Sequence, residues 1–329
     1  MATVKDVARE AGVSVGTVSK VLSKDLTVKK ALRDRVTKAV EQLGYRPNMS
    51  ARALRTNKLN ILGLVVPDIS NPFFAQLAKD IEAEAAKQSH TVMLANSDDD
   101  PVVELRQIET LLDQSPRGLI VVGAADQSVP QVTTGVPIIS LDRRYGDCRL
   151  IAADHGAGSG LVAEHLAGLG HRRIAYISGP QSTEVGRLRK LGFCTQLRKI
   201  CTGSDAAVLI CVEGQFDYDS GEHIAHQLLA VAPDERPTAI AAASDQQAIG
   251  ALRAARDLGI SVPSELSIAG FDNIALAELV EPRLTSVSQR TDEMARLAVR
   301  LLLSEHPQAT QDTFVETSLC ARDSTCKIR

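Results

Sequence analysis

The chain has 329 residues, of which 44% are hydrophobic and 3% aromatic, with no tryptophan. This length suits about two domains with real cores, and no apolar run approaches the roughly 18–20 residues of a membrane-spanning helix. The net charge of −3 conceals an asymmetry: residues 1–60 hold 13 Lys and Arg against 5 Asp and Glu, a balance of +8, and the remainder carries −11. A basic head on an acidic body is an electrostatic footprint for nucleic acid at one end only. The first residues are charged and helical in pattern, not a basic segment before an apolar one, so a secretory signal is not expected and the protein is expected in the cytoplasm. No two of the six cysteines are spaced C-x-x-C, which predicts reduced and mostly buried thiols rather than a metal site.

Three short helices are predicted in the head. Thr3 is a good N-cap for residues 4–11, whose Val4, Val7, Ala8 and Ala11 share a face. Gly12 supplies a permissive turn and Ser14 caps a second helix over 15–22. A third, over 30–43, has Leu32, Val36, Val40 and Leu43 at helical spacing. Two short helices joined by a glycine-bearing turn and packed on a third describe a DNA-binding helix-turn-helix, with a small protein-contact bundle as the alternative. Tyr45-Arg46-Pro47-Asn48 breaks the pattern. Residues 49–55 favour a helix of only two turns, marginal in water until something packs on it.

From Leu59 the pattern becomes strand–helix alternation. Strands are expected at 61–66, 91–95, 118–122, 136–141, 174–178, 207–211, 238–242 and 266–269. Helices are expected at 73–88, 102–113, 158–169, 185–197, 218–229, 246–258 and 292–303. Alternation of this kind argues for parallel sheets covered on both faces, and about 270 residues are too many for one open sheet, so two similar lobes with a cleft between them are expected.

The ordered motifs T-V-K-D-V-A-R-E-A-G-V-S-V-G-T-V-S-K-V-L (3–22), G-Y-R-P-N-M-S-A-R-A-L-R (44–55), S-N-P-F-F (70–74), G-H-R-R-I-A-Y-I-S-G-P (170–180), S-D-Q-Q-A-I-G-A-L (244–252), G-F-D-N (270–273) and L-T-S-V-S-Q (284–289) resemble the LacI/GalR family of regulators over nearly the whole chain. The likeness is strongest to its ribose- and purine-responsive members. It implies an α/β protein with a helix-turn-helix head (1–47), a hinge helix and linker (48–58), and a two-lobed sensor domain like periplasmic binding proteins (59–329). In function it implies a repressor of a sugar catabolic operon, bound to palindromic operator DNA and controlled by ribose or a related pentose. A purine- or nucleoside-responsive repressor is the alternative. The chain stops soon after residues 322–325 without the leucine heptads of tetrameric relatives, so the resemblance implies a homodimer.

A recognition helix reads base edges from its first turn. Lys20 can donate to guanine, and Val15 can meet a thymine methyl. Gly16 reads nothing, where relatives usually carry a base-reading side chain. Ser14, Thr17, Ser19 and Tyr45 have hydroxyls suited to phosphate oxygens, which position without specifying. The resemblance makes Leu54 a minor-groove wedge, followed by Arg55. In the sensor domain, the resemblance to ribose-binding proteins implies effector contacts from Asn71, Phe73, Phe74, Asp142, Arg143, Arg189, Phe216, Asp272 and Gln289. Ser244 stands where those proteins have Asn. Carboxylates, Arg and Gln suit a polyol, and aromatic faces suit its C–H face. An enzyme is not expected, because the chain carries no G-x-x-x-x-G-K-[ST] or H-E-x-x-H. No cofactor is expected either. His155, His165 and His171 are explained by helix ends and turns, and the glycine run 156–160 is read as a crossing between lobes rather than a phosphate loop. A transport binding protein would fit the sensor core but not the basic head.

Overall fold

The computed structural model describes residues 2–22, 25, 27–45, 60–124, 135–304 and 311–328. The expected hinge, 48–58, with Leu54 and Arg55, lies outside them. The chain divides into two units, residues 1–59 and 60–329.

In the first unit, α1 (Val4–Ala11), α2 (Val15–Leu22) and α3 (Lys30–Gln42) form where the local signals place them. Thr3 and Asp6 make a reciprocal capping box: the Asp6 amide donates to Thr3 Oγ1, and the Thr3 amide donates to Asp6 Oδ2 at 2.9 Å. Gly12, at φ +60°, ends α1 in the left-handed region. Arg35 of α3 donates to the Ala11 and Gly12 carbonyls at 2.6 and 3.1 Å, so one guanidinium satisfies acceptors that a helix end leaves open. Val7, Val18 and Val36 are fully buried at the centre, with Ala8, Ala11 and Ala39 around them. Gly12-Val13-Ser14-Val15-Gly16 spells G-x-S-x-G, the pattern of a nucleophile elbow. Here it joins two helices rather than a strand to a helix, and Ser14 Oγ accepts from the Thr17 amide at 3.1 Å as a cap.

The second unit runs in chain order through β1 (Ile61–Val66), α4 (Pro72–Lys87), β2 (Thr91–Asn96), α5 (Pro101–Leu112), β3 (Gly118–Val121), β4 (Ile138–Leu141), β5 (Leu150–Ala153), α6 (His155–Gly168), β6 (Arg173–Ser178) and α7 (Glu184–Ile200). It continues through β7 (Val208–Glu213), α8 (Tyr218–Leu229), β8 (Ala239–Ala242), α9 (Asp245–Asp257), β9 (Ser267–Ala269), β10 (Ser286–Ser288), α10 (Thr291–Leu302), β11 (Thr313–Val315) and β12 (Ser318–Cys320). Two parallel sheets result, ordered β11-β5-β4-β3-β1-β2 and β7-β6-β8-β9. Each heads one lobe with its own buried core. The chain leaves the first lobe after β5, returns to it with α10 and β11, and re-enters the second with β12, which pairs antiparallel with β10.

The strands β5, β10, β11 and β12 were not expected from the sequence. They are three or four residues long and carry no periodic signal; long-range pairing makes them strands. The glycine run does not form the crossing. It lies inside α6, and Gly192 of α7 lets the two helices approach: a Cβ there would run into the Gly156 carbonyl. The thiols also differ from expectation, with Cys194 and Cys201 buried but Cys211 exposed and the other three half-buried.

Glu104 of α5 is buried in the first lobe, where its carboxylate accepts from the Ala124 amide at 2.6 Å. Burial, with a small addition from Asp99, lifts its pKa to about 7 against that hydrogen bond. A carboxyl raised on folding binds a proton more tightly in the folded chain, so stability should fall as pH rises from the ordinary carboxylate range toward 7. The loss is at most about 3 kcal/mol. Glu104→Gln should flatten that part of the stability–pH curve measured by denaturant unfolding, and an unchanged slope would show that another group carries it.

Candidate functional site

Burial brings a set of charged side chains together where the two lobes meet. Asp142 follows β4 at φ +61°, and Asp272 follows β9 at φ +112°. Positive φ is costly for residues other than glycine and collects at functional sites. His155, at the first position of α6, places Nε2 3.4 Å from Asp142 Oδ1, both side chains being almost wholly buried. Arg189 of α7 is 3% exposed. It donates to Asp272 Oδ1 at 3.0 Å and to the Ala243 carbonyl at 2.5 Å, and its guanidinium lies 3.9 Å over Phe271 and 5.5 Å from Phe216. Gln289 donates to the same Asp272 oxygen at 2.7 Å.

The electrostatics of the two carboxylates differ. Burial raises Asp142, but the hydrogen bond and charge of His155, with Arg189 and Arg143, outweigh it and hold Asp142 below the ordinary carboxylate range. Burial wins at Asp272, which is pushed up against the pull of Arg189 and Gln289. Behind them Asp245 is wholly buried, accepts from the Ile274 amide at 2.9 Å and from Ser286 at 2.6 Å, and so fixes the loop that carries Asp272. Burial first, then the charge of Asp272, raises Asp245 strongly.

Two cavities flank this cluster. One of about 340 Å³ is lined by Phe73, Gln76, Asp80, Asp272, Ser288 and Arg290, among others. The other, about 290 Å³, is lined by Asp142, Arg143, His155, Glu184, Leu188 and Phe314, among others. Asp142 Oδ1 and His155 Nε2 face each other at 3.4 Å, whereas the buried Arg143 Nε and Gln289 Oε1 have no hydrogen-bond partner. Such atoms cost free energy unless something fills their bonding capacity.

Of the sequence-predicted effector residues, Phe73, Asp142, Arg143, Arg189, Phe216, Asp272 and Gln289 surround this cluster or line its cavities. Three serve the fold more directly. Asn71 caps α4 by accepting from the Phe73 amide at 3.0 Å, and Ser244 caps α9 by accepting from the Gln247 amide at 3.2 Å. Phe74 is packed in the first lobe's core with Arg143 5.3 Å from its ring centre, and Arg143 also pairs with Asp99 at 2.8 Å. His155 corrects the sequence reading: it does begin a helix, but it is buried between Asp142 and Arg189, 3.4 Å from the Nε of the latter. Its signal was its place just beyond the carboxyl end of a strand, invisible while β5 was unrecognised. Phe271, beneath Arg189, was missed as well.

In the head, Ser14, Gly16 and Lys20 are exposed, and Thr17 and Ser19 are half-buried. Ser14 and Thr17 share a hydroxyl–hydroxyl bond at 2.9 Å. Val15 and Tyr45 pack against the head's core, which leaves each only partly open to a partner.

Residues 3–48 match the family described as bacterial regulatory proteins, lacI family, and residues 163–325 match the periplasmic binding protein-like domain. Catabolite control protein A of Priestia megaterium is 34% identical over 319 residues, covering 95% of each chain. The chain belongs to the lacI family. The ribose operon repressor of Halalkalibacterium halodurans is 33% identical over 331 residues, covering 99% of this chain and 97% of that one. The lac repressor dimer bound to operator and an anti-inducer superimposes with a TM-score of 0.83 at 28% identity, covering 99% of both chains. This lacI-family protein is therefore a DNA-binding transcription regulator and not an enzyme. Among the described residues no helix is long and apolar enough to cross a membrane.

On the helix-turn-helix of such a regulator, Lys20→Ala is expected to relax preference at one symmetric base position in each half-site, a loss of about 1–3 kcal/mol of discrimination. Binding to a panel of single-base operator variants measures it. Uniform weakening across the panel would make Lys20 a phosphate contact instead.

Proposed function

We propose that this regulator is a cytoplasmic homodimeric repressor of a sugar catabolic operon, released from a palindromic operator by a pentose, with D-ribose the first candidate. The head (1–47) and hinge (48–58) grip DNA, and the sensor domain (59–329) holds the sugar and the dimer contacts. The observation that carries the sugar assignment is the buried set Asp142, His155, Arg189, Asp272 and Gln289. Asp142 and His155 line one flanking cavity, Asp272 and Phe73 line the other, and Arg143 Nε and Gln289 Oε1 nearby are left without a hydrogen-bond partner. One sugar is taken to reach both cavities: its hydroxyls donate to Asp142 and Gln289 and accept from Arg143, and its ring face lies toward Phe73. A purine offers no such row. The ribose repressor among the relatives supports this choice.

The exposed Leu276 and Leu279, and a cavity lined by Ile249, Leu252, Ile260, Val262 and Pro282 with Arg253, Arg256 and Glu281, support a second copy docking on the sensor domain. Two heads then address two half-sites. The sugar acts through its differential affinity for the two lobe arrangements. A tenfold to hundredfold fall in operator affinity corresponds to about 1.4–2.7 kcal/mol of coupling.

The test is operator binding, on a site first selected from random duplexes, titrated with pentoses, hexoses, nucleosides and purines. Release by ribose or another pentose is the expected result. Silence with every sugar, together with release or tighter binding by hypoxanthine or guanine, would replace the pentose with a purine.

A further inference from the structure

Away from the cleft, Cys194 near the middle of α7 and Cys211 on the edge strand β7 place their sulfurs 3.9 Å apart. The two residues are 17 apart in sequence, and neither belongs to a C-x-x-C motif. Cys194 is 8% exposed, whereas Cys211 is open to solvent. Lys190 and Arg198 stand one turn before and one turn after Cys194 on the same helix, an electropositive setting of the kind that favours a thiolate. The contact between the two sulfurs, with Arg198 and Lys190, outweighs burial and lowers Cys194, while Cys211 is pushed up.

We propose that Cys194 and Cys211 are a peroxide-responsive pair that closes into a reversible disulfide within the chain. In the first step the Cys194 thiolate attacks one oxygen of a hydroperoxide. The O–O bond breaks, an S–OH group forms, and the other oxygen leaves and takes a proton as an alcohol or water. In the second step the Cys211 sulfur attacks Cys194. The S–S bond forms, the S–O bond breaks, and the departing hydroxide takes the Cys211 proton as water. The two thiols lose two electrons and the peroxide gains them. The bond would tie the helix that carries Arg189 to the edge of the second lobe's sheet.

The experiment treats the full chain with hydrogen peroxide, blocks remaining thiols, and maps peptides by mass spectrometry with and without dithiothreitol. The expected result is a Cys194–Cys211 cross-linked peptide, four of the six cysteines still free, and full recovery on reduction. Cys211→Ser, at an exposed position, should fold normally by circular dichroism and yield no such cross-link. Oxidation spread evenly over the six thiols, or Cys211 bonded only to a second chain, would overturn the proposal.

Discussion

Arg189→Ala is expected to abolish effector binding, by a hundredfold or more (about 2.7 kcal/mol), while operator binding persists, giving a repressor that no sugar releases. Arg189 is the hub of the cleft: it bonds Asp272 and the Ala243 carbonyl, covers Phe271, and adds to the field that keeps Asp142 ionised. Removing one member of a buried ion pair costs roughly 3–5 kcal/mol, because the other is left without its counter-charge. The sensor domain should therefore also melt earlier. Asp272, raised by burial and held back chiefly by Arg189, should take up a proton at a higher pH in the variant. Calorimetric titration with pentoses at a temperature well below the new melting point separates lost affinity from lost fold. Retained sugar affinity in a folded variant would move the effector site away from this cluster.

Leu54→Ala is expected to weaken operator binding more than tenfold, about 1.4 kcal/mol, and to leave sugar affinity unchanged. The expected hinge lies outside the described residues; a helix of only two turns is marginal in water, so it is proposed to form on DNA and against a second copy. An apolar wedge that unstacks a base step is repaid only by the contacts of the bent duplex, and truncation to Ala removes that wedge. The sensor unit begins at Asn60 and has its own cores, which is why the sugar side should not respond. Arg55→Ala makes the informative contrast: weaker binding on all sequences, with the salt dependence flattened by about one unit per lost phosphate contact. Equal operator affinity for Leu54→Ala and the wild type would sink the wedge.

The two kinds of residue in the cleft were legible to different degrees. Asp272 and Gln289 stood in motifs and Arg189 was implied by the resemblance to ribose-binding proteins, yet only the fold shows Arg189 and Gln289 meeting on one Asp272 oxygen. Ser244 and Asn71 carry cap signals that sequence reading passed over in favour of ligand contacts; their side chains bond an amide two or three residues on. His155 was set aside because the strand before it was invisible. A short run such as Leu150-Ile151-Ala152-Ala153 has no alternation to reveal it when both faces are buried.

The sequence by itself determined the head and the alternation of the sensor domain. Their signals act within a few residues: Thr3 with Asp6, Gly12 and Ser14 at the turn, and the 3.6-residue spacing that turns Val7, Val18 and Val36 inward. Tertiary structure decided which distant side chains share a site. Arg189 and Asp272 are 83 residues apart and meet because α7 and the loop after β9 belong to one lobe. Asp142 and His155 meet because each follows one of two adjacent parallel strands, β4 and β5. Strand pairing and burial, rather than any local preference, bring these charges together.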